Sequence, residues 1–434
     1  MTNWFAALPA GWTTTRLKNV IASTQTGIWG DEPHGDSDDV RCVRVADFDR
    51  PAHAVGHVTT TRSVHEKDRV PRLLRRGDLL LEKSGGTDIN PVGFSVIFDY
   101  DYEAVTSNFI TRLRVRPDHW PQFWLYALAA SYSTKRTERS VRRTTGIQNL
   151  DLSSFLNELF PVPPFDEQRA IADFLDRETT RIDTLIEEQQ RLIELLQERR
   201  AALTEHAVSG CDLTSSTVQT SNKWWPQVPS SWMVVQLRRV ITFIADGPHF
   251  SPRYVDEGLP FISARNIKVD RWALEDAKYV SQEDFDEFSK RVVPEKGDVL
   301  YTKGGTTGIA RVVDLRFPFQ VWVHVAVLKV DRSVINPNYL AYALNSRPCY
   351  EQAQMYTRGA TNNDLGLTRM VNIELPLPPL DQQEGIVAYL HEQTSKIDTS
   401  ILETERFIEL SRERRAALIT AAVTGQIDVR EKVS

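Results

Sequence analysis

Residues 161–176, PVPPFDEQRAIADFLD, return as PLPPLDQQEGIVAYLH at 376–391, and over the 50 positions that begin there 26 are identical at an offset of 215. Upstream the same doubling continues. LPAGWTTTRLKNVI from Leu8 matches VPSSWMVVQLRRVI from Val228, and RRGDLLLEKSGGT from Arg75 matches EKGDVLYTKGGTT from Glu295, both at an offset of 220. PQFWLYAL at Pro121 and PNYLAYAL at Pro337 stand 216 apart, so the first copy holds four extra residues, a loop-sized difference. The chain is therefore a tandem repeat of a unit of roughly 215 residues, the kind of signal that decides an architecture before any single element is read.

Each copy has a divergent front and a well-matched rear. The fronts are β-rich, with DLLLEK, GFSVIF and ITRLRV broken by Gly, Pro and Asp turns, plus the helical run FWLYALAASYS. In the rears, Ile171, Leu175, Glu178, Ile182, Leu185, Gln189, Leu192, Leu196, Arg199 and Leu203 alternate spacings of four and three, which predicts a heptad seam. Its counterpart runs Ile386, Leu390, Gln393, Ile397, Ser400, Thr404, Phe407, Ser411, Arg414 and Leu418. No Pro or Gly interrupts 166–209, and only Gly385 interrupts 381–424. About 40 helical residues make a rod of roughly 60 Å.

A lone rod of this kind suggests dimerisation, but two in one chain can pair with each other. Parallel pairing stacks Arg199 on Arg414. An antiparallel pair centred near Gln189 and Thr404 sets Arg414 opposite Glu178 and Arg199 opposite Gln393, and that is the expectation. The predicted fold class is α+β: two mixed α/β domains, 1–160 and 213–375, in pseudo-two-fold tandem repeat, separated by two long antiparallel coiled-coil helices in 161–212 and 376–434.

Composition narrows the function. The chain of 434 residues is 41% hydrophobic and 25% charged, ordinary for a globular protein. No apolar run approaches the roughly 18 residues of a membrane span. MTNWFAALPAGW lacks the pattern of a secretory signal, which leaves a cytoplasmic location as the expectation. Cys42, Cys211 and Cys349 are far apart, so neither a disulfide framework nor structural zinc is expected. The net charge of −6 is unevenly spread: 1–160 carries 20 basic and 19 acidic residues, whereas 161–215 carries 6 and 12. The fronts are near neutral, and the acid lies in the rods.

Catalytic motifs are missing. There is no phosphate loop and no strand-linked Gly-x-Gly-x-x-Gly. INPVGF and INPNY lack the second Pro of an amino-methyltransferase box. Asp270 followed by Asp276-Ala-Lys278 resembles a magnesium-nuclease spacing, but the first copy has no equivalent. A stand-alone nuclease and a bare coiled-coil scaffold remain the competing readings.

The informative loops are Lys83-Ser84-Gly85-Gly-Thr87 and Lys303-Gly304-Gly-Thr306-Thr307, at the same place in both copies. Paired glycines let backbone N–H groups approach a phosphate, Thr adds a donor and Lys adds charge. A second pair precedes the rods. KRTERSVRRTTGIQNL holds Arg142, Arg143, Thr144, Thr145, Gln148 and Asn149, and MYTRGATNNDL holds Arg358, Thr361, Asn362 and Asn363. Arg and Lys neutralise phosphates, while Asn and Gln present the paired donor and acceptor that read adenine. His249 and Arg265 join the candidates, with Asp31 and His34 at the corresponding first-copy turn.

On these motifs, and on the Arg-Arg-Ala-Ala-Leu and Val-Ser/Thr-Gly endings of both rods, the chain resembles the specificity subunit of type I restriction-modification enzymes over nearly its whole length. GIWGDEPHG departs from the Asp-Gly-Pro-His form at Asp246. The resemblance implies a non-catalytic reader of double-stranded DNA whose two target recognition domains take a bipartite asymmetric target, the rod acting as ruler. It also implies two modification subunits bringing S-adenosylmethionine for adenine methylation, and a motor-nuclease subunit bringing ATP and magnesium. No cofactor is expected in this chain.

Overall fold

In the computed structural model, residues 4–5, 8–144, 147–210, 216–358 and 364–429 are described. They form two compact units, one of 1–189 with 406–434 and one of 190–405.

In the first unit a six-stranded sheet runs in the order Ile21–Thr26, Ile110–Val115, Asp78–Glu82, Ser95–Phe98, Ala54–Val55, Phe48–Asp49. Asp78–Glu82 is buried at every residue, which is why its sequence DLLLE shows no alternation. A smaller sheet joins Thr61–Ser63, Asp39–Val43 and Ala104–Thr106, the last two parallel. The helix Pro121–Ser133 starts on a proline, whose missing N–H costs nothing there, and drives Phe123, Trp124 and Leu128 into the core.

The second unit repeats this plan. Ile241–Asp246, Val325–Val330, Val299–Thr302 and Ala310–Val312 form one sheet; Tyr254–Val255, Lys278–Val280, Leu259–Ile262 and Gln320–Val321 form the other, again with a parallel last pair. In both units the strand after the repeated Pro…Trp motif pairs antiparallel with the strand that leads into a rod: Thr13–Arg16 with Leu159–Val162, and Met233–Gln236 with Glu374–Leu377. That pairing delivers the repeated proline motif to the rod.

The motif's glutamine fixes the junction. Gln168 Nε2 donates to the Pro163 carbonyl at 3.0 Å and its Oε1 accepts from Trp120 N at 2.9 Å. Gln383 does the same with Pro378 at 2.8 Å and Asn336 N at 2.7 Å. At the far end each rod stops on a glycine in the left-handed region. Gly210 (φ +69°) closes against Trp232 and Pro229, and Gly425 (φ +71°) against Pro9 and Trp12, with no room for a Cβ. The repeated Pro…Trp openings and Val-Ser/Thr-Gly endings thus meet each other.

The rods are the helices Phe165–Ser209 and Leu380–Val423. In the first unit Ile171, Phe174 and Leu175 share one core with Ile419, Ala422 and Val423. In the second, Val208 shares a core with Ile386 and Leu390. The front of one rod therefore packs with the back of the other, which is the antiparallel arrangement. Arg415 Nε meets Asp183 Oδ1 at 2.9 Å in the first unit, and Arg200 Nε meets Asp398 Oδ1 at 2.8 Å in the second. At the offset of 215 these are the same pair with its partners exchanged.

The polar layers differ from the heptad expectation, and Arg414 and Arg199 are not set opposite Glu178 and Gln393: the neighbouring Arg415 and Arg200 meet Asp183 and Asp398, five residues further along each rod. Arg199 and Arg414 are exposed, and Glu178 and Gln393 are only half-buried; Arg200, Arg415, Thr179 and Thr394 face inward instead. Gln189 is half-buried, and Thr404 is buried as the seam requires. A helix of 3.6 residues per turn drifts by about 20° per heptad from a 3.5-residue repeat. Leu185-Ile186 and Leu192-Ile193 are adjacent apolar pairs, so the seam passes from the leucines to the isoleucines, and the arginine layer follows by one residue.

Candidate nucleic-acid interface

The two lysine loops share one backbone frame. Lys83 N donates to the Phe109 carbonyl at 2.9 Å and Lys303 N to the His324 carbonyl at 2.8 Å. Leu150 N donates to the Lys83 carbonyl at 2.8 Å, and Leu365 N to the Lys303 carbonyl at 2.7 Å. An isolated bridge joins Ser84 to Asn149 in one unit and Gly304 to Asp364 in the other. Asn149 and Asp364 are therefore equivalent. Gly85 and Gly305 both hold positive φ, +97° and +71°, the conformation that requires glycine at this turn.

Within that frame the chemistry diverges. Among the described residues Lys83 Nζ has no ion-pair or hydrogen-bond partner, and Thr87 is exposed, its Oγ1 accepting from Asn90 N at 3.0 Å. Ser84 Oγ donates to Asn149 Oδ1 at 2.6 Å. The preceding Glu82 is buried against Arg50 at 2.7 Å, and burial pushes its carboxyl up although Arg50 opposes it.

Gln148, expected to read a base, is 4% exposed. Its Nε2 donates to the Thr87 carbonyl at 3.1 Å and its Oε1 accepts from Val92 N at 3.3 Å, so the amide is spent holding the lysine loop. Asn149 is likewise engaged with Ser84. Strand alternation is the reason: on Ile147–Leu150 the glutamine and leucine point inward, whereas Ile147 faces solvent.

Lys303, expected to contact phosphate, is buried with 5% of its side chain exposed. Its Nζ lies 2.7 Å from Asp364 Oδ1 and 3.4 Å from Asp246 Oδ2. Asp246 also pairs with Arg291 and sits 3.3 Å from His249 Nε2. The equivalents of the two aspartates in the first copy are Thr26 and Asn149, so nothing there neutralises Lys83. Gly304 is buried and Thr306 exposed; Thr307 is buried, its carbonyl accepting from Gln354 Nε2 at 3.1 Å.

Arg142 and Arg143 stand exposed on the strand Val141–Thr144, pairing with Asp151 and, at 3.6 Å, with Asp88. The Asp151 carboxyl is lowered first by the Ser154 backbone N–H and then by Arg142. Arg265 is exposed and donates once, to the Asp276 carbonyl at 3.3 Å. Arg358 is exposed and bridges Asp364 through its backbone. Of the remaining candidates, Thr145, Thr361, Asn362 and Asn363 lie outside the described residues, as does the side chain of Thr144.

Residues 71–197 and 229–407, more than half of the chain, match the type I restriction modification DNA specificity domain. The chain belongs to this family. As a specificity subunit it is similar to the MjaVIII specificity subunit of Methanocaldococcus jannaschii, 23% identical over 69% of this chain and 70% of that one. It is also similar to the EcoBI specificity subunit of Escherichia coli, 21% identical over 75% of this chain and 69% of that one. A solved chain from work on complex assembly and conformational transition of the type I R-M system shares the fold, with a TM-score of 0.65 at 20% identity and coverage of 97% and 100%.

The specificity subunit is the non-catalytic, DNA-reading component of a type I restriction-modification enzyme. Its two lysine loops offer a neutral frame with a free cation in one unit and an internally neutralised one in the other. Sequence reasoning missed Asp246, Arg291 and Asp364 as the partners that silence Lys303. The signal was present in ADGPHF and NNDL, but only the fold brings them to the loop. No helix among the described residues is long and apolar enough to cross a membrane.

Proposed function

We propose that this specificity subunit reads a bipartite, asymmetric DNA target, with residues 1–160 taking one half-site and 213–375 the other. The segments 161–212 and 376–434 are the rods that set the spacing and dock two modification subunits. Those subunits bring S-adenosylmethionine and methylate adenine; a motor-nuclease subunit brings ATP and magnesium; the assembly works in the cytoplasm. One observation carries the reading. The two units hold the same loop on the same backbone bonds and surround it with different side chains, which suits two domains of one plan and different sequence preference.

The contacts assigned to DNA are the lysine loop of the first unit with Arg142 and Arg143, and Arg265, Thr306 and Arg358 in the second. Phosphate contacts give affinity and salt dependence, whereas base edges give sequence. Co-expression with the cognate modification subunit, followed by methylome sequencing, tests the reading. One motif with two dissimilar halves and a fixed spacer is the expected result. Methylation by this chain alone, or a target of one half only, overturns it.

A further inference from the structure

The shared loop frame builds a cleft in each unit, at the same place and with different walls. In the first unit it measures about 530 Å³ and is lined by Trp29, Arg44, Ser84, Gly85 and Phe109, among others. In the second it measures about 410 Å³ and is lined by Arg265, Lys278, Gly304, Trp322 and His324, among others. The lysine N–H bonds place Phe109 where His324 stands. A one-turn helix flanks each cleft, Val45–Asp47 or Ala264–Asn266, with its third side chain turned back on the residue before it, Arg44 or Ser263. The scaffold is the same, and the side chains facing the opening are not.

We infer that these two clefts are the sequence-discriminating surfaces, Phe109 with Trp29 selecting base edges of one DNA half-site and His324 with Arg265 and Lys278 selecting those of the other. The inference rests on the reading above.

Three observations carry it. First, His324 lines the cleft and is only half-buried, its ring edge-on to Trp322 at 5.3 Å, so an imidazole able to donate or accept a hydrogen bond stands where the first copy has a phenyl ring. Second, Phe109 and Trp29 remain 46% and 40% exposed, large rings left wet at the rim of a concave surface, and Arg62 stacks on Trp29 at 4.5 Å. Third, ring and loop are matched within each copy. A Cβ on Gly304 would stand 2.1 Å from His324 Nδ1, so the serine found there in the first copy is excluded. In the first copy the ring of Phe109 moves one residue along, and a Cβ on Gly85 would stand 3.4 Å from it. A loop serving stability alone needs no such exchange of ring and small residue, whereas two recognition surfaces do.

The test uses the full complex with the modification subunit, carrying Phe109→His or His324→Phe, with methylome sequencing as the readout. Each substitution is expected to change or blur preference at one or two positions of a single half-site. Discrimination there falls on the order of 10- to 100-fold, and the other half and the spacer are retained. Trp29→Ala and Lys278→Ala, both at exposed positions, repeat the test without touching packed backbone. An unchanged motif methylated more slowly in all four variants, or changes in both halves from one substitution, overturns the inference. A wild-type complex without any sequence-specific methylation overturns the underlying reading instead.

Discussion

Lys83 and Lys303 occupy one position of a repeated frame, and replacing each by methionine should have opposite effects. Lys303 is held by Asp364 and by Asp246, whose side chain is only 3% exposed. Breaking a buried ion pair by removing one partner costs about 3–5 kcal/mol when the other charge is stranded. Here Asp246 keeps Arg291 and His249, and Asp364 is accessible enough to rehydrate, so the loss for Lys303→Met should fall to about 2–3 kcal/mol. Lys83 strands no partner, and Lys83→Met should stay within about 0.5 kcal/mol. Hydrogen exchange across a urea series, followed in peptides covering 78–82 and 299–302, reads the two units separately. On DNA the order reverses: Lys83→Met should lower the salt slope of binding by about one, and Lys303→Met should leave it unchanged. Equal destabilisation by both substitutions, or a lower slope for Lys303→Met, would refute the contrast between a free and a silenced lysine.

The rod register predicts that Arg200→Asp or Asp398→Arg alone costs about 1–2 kcal/mol for this partly exposed pair, and that the double exchange recovers most of it; absence of recovery in a denaturation cycle contradicts the pairing. Burial lowers the His53 imidazole to about 4, with Arg415 adding to the effect. The unfolded chain then takes up a proton near 6.5 that the folded chain refuses, so stability is full above about pH 6.5 and falls toward pH 4 by at most about 1.4 kcal/mol per unit. His53→Phe should flatten that part of the pH profile, and an unchanged profile would show that the ring is solvated. Gln148→Ala should cost about 1–3 kcal/mol and speed hydrogen exchange from Gly85 to Val92 while the methylated motif persists; a blurred half-site without faster exchange would return Gln148 to the role of base reader.

Much of the fold is legible in the sequence because the repeat supplies a second reading of every element. The rods, expected within 161–212 and 376–434, span Phe165–Ser209 and Leu380–Val423, since nothing but Gly385 interrupts their periodicity. The seam is not legible, because Leu-Ile neighbours satisfy two phases and only packing chooses between them. The site is legible only as a place. KSGGT and KGGTT look alike, and whether the lysine is free depends on Asp246 and Asp364, each more than 50 residues away in sequence. Gln148 shows the same limit: an amide suited to adenine is equally suited to tying down a loop, and a strand's alternation decides which it does.

The unit of residues 190–405 is one continuous stretch, whereas the unit that begins the chain is completed by 406–429. Ile419, Ala422, Val423 and Val429 lie in the same core as Trp12, Trp124 and Leu175. On the ribosome, the domain made first is therefore finished last. Its rod face around Ile171 and Leu175 waits for about 240 further residues, on the order of 10 to 50 seconds of synthesis, before its partner helix exists. A frameshift or a proteolytic cut near residue 406 should accordingly cripple the first unit, the one farthest away in sequence, and spare the second.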